Sequence, residues 1–201
     1  MIITKNLVQQ GVMYSEYSRI IDSLLKQNKT TGTTQTQEFV DYTKLNMYRM
    51  HRIDVKIKLL DVLVDRLHSL TNNYVWLIVA EAWCGDAAQN VPILAKMGYV
   101  SSHIEFKIIL RDEHPQVIQH YNTNGSASIP KLICLTADTL QEVFTWGPRP
   151  ALAQAIIEEN KTSANPLDKK SLAEKLHLWY AQNKYIETQQ ELLLLIETHL
   201  S

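Results

Sequence analysis

Three observations predict an α/β chain with extra helices at both ends. The run Val75-Trp76-Leu77-Ile78-Val79-Ala80 is continuously apolar, as in a central strand buried on both faces. From residue 74 to 160, strand-like and helix-like segments alternate in the order β-α-β-α-β-β-α. Before and after that stretch, apolar residues recur at helical spacing.

Each element has its own signal. Apolar residues at 13, 17, 20, 21 and 24 predict a helix over residues 12–27. Residues 28–37 are polar, with Gly32 among Thr30, Thr31, Thr33 and Thr34, and read as a loop. Thr36 is placed to cap the next helix. Ile53, Ile57, Leu60, Val64 and Leu67 step by four, three, four and three, which predicts one amphipathic helix continuing to about Leu70. After the strand over residues 75–82 comes a helix over 86–98 that closes at Gly98. Pro92 inside it removes a backbone hydrogen bond and should bend it. Residues 104–110 read as the next strand, and His114-Pro115 reads as the start of a short helix. Residues 131–136 and 142–146 read as strands, joined closely enough to form an antiparallel hairpin. Residues 151–160 form a helix, 161–166 a linker, and 167–201 a helical segment that Asn183-Lys184 divides. The expected organisation is a helical extension over residues 1–73, a core over 74–160 and a C-terminal helical segment over 167–201.

Composition excludes several classes. With 201 residues, 45% hydrophobic and 20% charged, the chain is of ordinary globular composition. A formal net charge of -1 offers no electrostatic case for nucleic acid or an anionic membrane surface. No run of eighteen apolar residues exists, so no membrane span is expected. Asn6, Gln9 and Gln10 interrupt any secretory apolar stretch, and two cysteines are too few for a disulfide scaffold. The cytoplasm is the expected compartment. Neither the cysteines nor the seven histidines show metal-ligand spacing, so no metal is expected.

Trp83-Cys84-Gly85-Asp86-Ala87 is the segment that carries chemistry. It delivers a cysteine from a strand end to the first turn of a helix, where N–H groups and the helix dipole favour thiolate. Four features in order resemble the thioredoxin superfamily. Trp83-Cys84-Gly85 is close to the family's Trp-Cys-Gly-x-Cys entry. Pro92 lies eight residues after Cys84, Ile129-Pro130 opens a strand 46 residues after it, and Gly147 follows Pro130 by 17. The helices before residue 73, with Asp41-Tyr42-Thr43-Lys44-Leu45-Asn46 and Arg49-x-His51-Arg52, resemble those of a bacterial thioredoxin-like family in which helices replace the first β-α unit. The resemblance implies a thioredoxin-like fold with a mixed central sheet and a cis-proline loop. It also implies a site made of Cys84, with Trp83, Gly85, Asp86, Ile129 and Pro130 around it to hold substrate. The backbone of Ile129 would pair with an extended peptide.

Three positions depart from that pattern. Ala87 stands where the second cysteine would be, so a dithiol couple is absent. Ile78, six residues before Cys84, replaces the buried acid that serves the second thiol. Asp86 replaces a proline and puts a negative charge beside Cys84, opposing the helix end. Cys134 would sit about 13 Å along the strand from Pro130, too far to replace the missing sulfur, and reads as a buried core thiol.

Other residues carry bland expectations. Glu81 reads as the solvated end of its strand, Trp146 as core, Arg149 as a surface arginine, and Arg49 with its basic neighbours as a solvated helix face. Two functions stand open. One is monothiol thiol–disulfide chemistry through Cys84 on a protein or small thiol, with no cofactor beyond an external thiol. The other is a non-catalytic module that binds an extended segment in the cis-proline groove. The chain is expected to be a monomer or homodimer.

Overall fold

The computed structural model describes residues 2–201; only the first residue of the expected 1–73 extension lies outside them. Four strands form one mixed sheet: β1 (Tyr74–Ala80), β2 (Ile104–Leu110), β3 (Lys131–Thr136) and β4 (Glu142–Trp146), in the order β2-β1-β3-β4. β1 runs parallel to β2 and antiparallel to β3, and β3 pairs with β4 as an antiparallel hairpin. All seven residues of β1 are buried, as its unbroken apolar run requires.

The two-residue period of the strands divides the interior into two layers. Trp76, Ile78, Ala80, Leu132 and Cys134 face one side, packing with α5 (Gly85–Gly98), α3 (Gln37–Lys56) and α9 (Ile186–His199). Val75, Leu77, Val79, Ile133 and Leu135 face the other, packing with α1 (Lys5–Gln10) and α6 (Pro115–His120). α2 (Tyr14–Lys26) follows the predicted span closely, and Thr36 Oγ1 accepts the Phe39 N–H to cap α3. α7 (Ala151–Thr162) and α8 (Lys169–Asn183) follow the sheet, and Lys184 and Tyr185, both at positive φ, separate α8 from α9.

The apolar steps from Ile53 to Leu67 do not lie on one helix. α3 ends at Lys56, residues 57–60 are extended at both ends, and α4 spans Asp61–His68. The break is held from outside: Gln189 Oε1 accepts the Leu60 N–H at 2.8 Å, and Lys96 Nζ donates to the Ile57 carbonyl at 2.8 Å. α1 was missed altogether. It is only six residues long, capped by Thr4, and its end is tied to β2 by a bridge between Val12 and Ile108.

Candidate functional site

Cys84 is the N-cap of α5. Its sulfur accepts the Ala87 N–H at 3.5 Å, and its thiol donates to the Ile129 carbonyl at 3.2 Å. The Ile129–Pro130 peptide is cis, and both residues are buried, whereas Trp83, Cys84 and Gly85 are half-buried. Gly147 makes the loop geometry possible. Its φ is +108°, and a Cβ there would lie 2.3 Å from the Pro130 carbonyl oxygen. The six residues assigned to the site therefore converge at the C-terminal end of β1 and the start of β3. Cys134 does not join them; it is fully buried between Trp76 and Phe144 on the neighbouring strands.

Asp86 is held by two partners on other elements. Its carboxylate takes Arg149 Nη2 at 2.5 Å and Nε at 3.1 Å on one oxygen, and the Tyr180 hydroxyl at 3.0 Å on the other. Burial alone would lower the Arg149 guanidinium, but Asp86 holds it above its ordinary value. Arg149 is thus an inward-facing ion-pair partner rather than the surface arginine its context suggests.

Burial and Asp86 dominate the electrostatics of Cys84. Burial first, and the Asp86 charge second, push the thiol up to about 12; the N–H groups of Ala87 and Asp86 and the charge of Arg149 pull the other way. The opposition between helix end and Asp86 that the sequence left open is decided by desolvation. The resting thiol is protonated.

Glu81 is also misplaced by the sequence reading. It is fully buried, because the loop over residues 28–37 closes over the strand end. Thr31 Oγ1 accepts the Ala82 N–H at 2.8 Å, the Asp112 N–H donates to Glu81 Oε1 at 2.9 Å, and Glu81 Oε2 has no hydrogen-bond partner among the described residues. Burial raises this carboxyl, with Asp112 adding to it. A raised folded-state value means that its contribution to stability is complete below the ordinary 4.5 and is lost as pH rises through the folded value. Glu81→Gln keeps the acceptor for Asp112 and removes the charge. It is expected to raise stability at pH 7 and flatten the stability profile above pH 4.5, measured by urea unfolding across that range.

A cavity of about 270 Å³ opens onto Cys84 and Gly85, walled by Phe39, Tyr42, Trp83 and Leu176. Trp83 stacks on Phe39 with centroids 4.9 Å apart, and the Arg111 guanidinium lies 4.6 Å from the Trp83 ring on its other contact. Arg49 and His177 also line this cavity. Both were missed: Arg49 was read with a solvated basic face, and His177 has no sequence signal. The only hint at Arg49 is its place one turn from Asn46 and Ile53, both buried. No group of three or more metal-ligating side chains occurs among the described residues.

The sequence profile of a thioredoxin family, described simply as thioredoxin, matches residues 32–164. No curated protein matches the chain. Among solved structures it is similar to a protein of unknown function from Pseudomonas aeruginosa. The TM-score is 0.56 and the identity 17%, over 93% of this chain and 98% of that one. It is also similar to an HIV epitope-scaffold, with TM-score 0.55 and 17% identity, over 93% of this chain and 99% of that one. Both likenesses concern the fold. The family profile runs from the loop over Glu81, through Cys84 at the head of α5 and the Ile129-Pro130 loop, to the end of α7, and on that span the chain belongs to the thioredoxin family.

Proposed function

We propose that this protein carries out thiol–disulfide exchange with a single sulfur, Cys84, on a protein or small-molecule disulfide. One observation carries the reading. The sulfur of half-buried Cys84 sits at a cavity, between a helix N–H and the carbonyl of Ile129. Cys134, the other cysteine, is sealed in the core.

The chemistry balances without a cofactor. Cys84 loses its proton to solvent base, and its sulfur attacks one sulfur of the disulfide. That S–S bond breaks, a Cys84 mixed disulfide forms, and the other sulfur departs as thiolate and takes a proton from water. With Ala87 in place of a second cysteine, a free thiol from solution attacks the mixed disulfide and restores Cys84. The Ile129 carbonyl holds the thiol at rest. An extended substrate whose backbone N–H pairs with that carbonyl competes for the same acceptor and frees the sulfur to ionise.

Incubation with hydroxyethyl disulfide, followed by intact-mass measurement, is expected to give one adduct, on Cys84, that a small thiol removes completely. Absence of any adduct over hours at pH 9 argues instead for the second reading, a groove that binds an extended segment without reacting. The high resting position of the thiol favours that second reading, and Cys84→Ser would then leave partner binding intact.

A further inference from the structure

The cavity over Cys84 contains a donor pair that the exchange chemistry does not use. Arg49 is half-buried on α3, and its one hydrogen bond among the described residues is from Nη1 to Asn46 Oδ1 at 2.9 Å. No carboxylate forms an ion pair with it among the described residues. The charge that acts on it is that of Arg52, and the hydroxyls of Tyr185 and Tyr42 act on it in the opposite sense. Asp86 lines the same cavity, but Arg149 and Tyr180 occupy its two oxygens. At the rim, Lys169 lies 3.7 Å from Glu38, with both side chains largely exposed.

His177 supplies the second donor. The Tyr185 hydroxyl donates to Gln89 Oε1 at 3.0 Å, with Gln89 Nε2 turned toward His177. Gln89 Nε2 donates to His177 Nδ1 at 2.9 Å in the tautomer that carries the ring proton on Nε2. That Nε2 has no hydrogen-bond partner among the described residues and lies beside Gly85. The point that a Gly85 Cβ would occupy lies 3.1 Å from His177 Nε2 and 3.9 Å from Arg49 Nη1. A guanidinium and a neutral ring N–H therefore converge one residue from the reacting sulfur, inside aromatic walls.

We infer that this pair binds a carboxylate, and that the preferred substrate of Cys84 is a small disulfide or thiol bearing a carboxylate group. The inference rests on the exchange reading for the word substrate, but the carboxylate site stands on Arg49 and His177 alone. Arg49 supplies a forked cation suited to a carboxylate, and His177 adds a neutral donor whose charge does not change near neutral pH.

The test compares three disulfides of similar size: dithiodipropionate, hydroxyethyl disulfide and cystamine. In each, the Cys84 thiolate displaces one half of the disulfide as its thiolate and keeps the other half as the adduct, so no further reductant is needed. Adduct formation with dithiodipropionate is expected to be about tenfold faster than with hydroxyethyl disulfide, and slowest with cystamine. Arg49→Gln is expected to abolish the preference, read as the ratio of the dithiodipropionate rate to the hydroxyethyl disulfide rate, and Arg49→Lys to retain part of it. Circular dichroism melts of each variant establish that it is folded. Equal rates for all three reagents, or a preference unchanged in folded Arg49→Gln, would overturn the inference. If Cys84 reacts with none of them, the exchange reading fails. The carboxylate site is then judged separately, on Cys84→Ser protein titrated with mercaptopropionate and followed by the Trp83 and His177 NMR signals. Saturable shifts that Arg49→Gln removes support it, and no shift at millimolar ligand overturns it.

Discussion

Gly147→Ala is expected to lower stability by about 3 kcal/mol, and Tm by roughly 10 °C. Two physical reasons add. At φ +108° an L side chain is strained whatever space surrounds it. The new Cβ would also lie 2.3 Å from the Pro130 carbonyl oxygen, a backbone atom that cannot swing aside as a flexible side chain does. Either the β4–α7 turn or the Pro130 loop must move. The Gly147 carbonyl also accepts Lys131 Nζ at 3.2 Å, so movement disturbs the start of β3 as well. Ile129 precedes Pro130 in the chain, and its carbonyl is the partner of the Cys84 thiol. The substitution should therefore change Cys84 reactivity along with stability. Urea unfolding monitored by Trp fluorescence measures the first effect. A loss under about 1 kcal/mol would mean that this close approach contributes little.

Asp86→Asn is expected to cost about 2–3 kcal/mol and to raise the reactivity of Cys84 at fixed pH. The side chains of Arg149 and Asp86 are 16% and 11% exposed, so removing one charge leaves the other poorly solvated. The neutral amide keeps an oxygen for the Tyr180 hydroxyl, which limits the loss to the ion pair. The gain in reactivity has a separate cause. Asp86 is second only to burial in holding the Cys84 thiol up, and Arg149, now unopposed, stabilises the thiolate. A variant that is both less stable and more readily alkylated would fit this account. One that is less stable but alkylated no faster would show that Asp86 serves only the fold.

The sequence revealed the frame of the site better than its walls. β1 was legible because all seven of its residues are buried and apolar, and the hairpin because its connection is short. Cys84, Ile129-Pro130 and Gly147 were legible because their chemistry is bound to backbone geometry, which local sequence encodes. Arg49, His177 and the Asp86 partner Arg149 were not. They reach the site from α3, α8 and the turn before α7, and nothing in their local sequence says where those elements pack. Glu81 was misread for a related reason. A charge at a strand end is normally solvated, and only the distant loop that carries Thr31 and Thr33, bonded to Ala82 and Asp112, closes over it. The break between α3 and α4 was invisible because the apolar period runs through it, while the hydrogen bonds that hold it come from Gln189 and Lys96.

The most direct test of the central claim, one reactive sulfur held protonated at rest, is the rate of iodoacetamide alkylation of Cys84 and Cys134 across pH, followed by peptide mass spectrometry. The account predicts modification of Cys84 ahead of buried Cys134, at a rate that keeps climbing beyond the ordinary thiol value of 9.0 because the folded-state value lies near 12. A Cys84 rate that levels off below about pH 8, or a Cys134 that reacts as fast as Cys84, would contradict it.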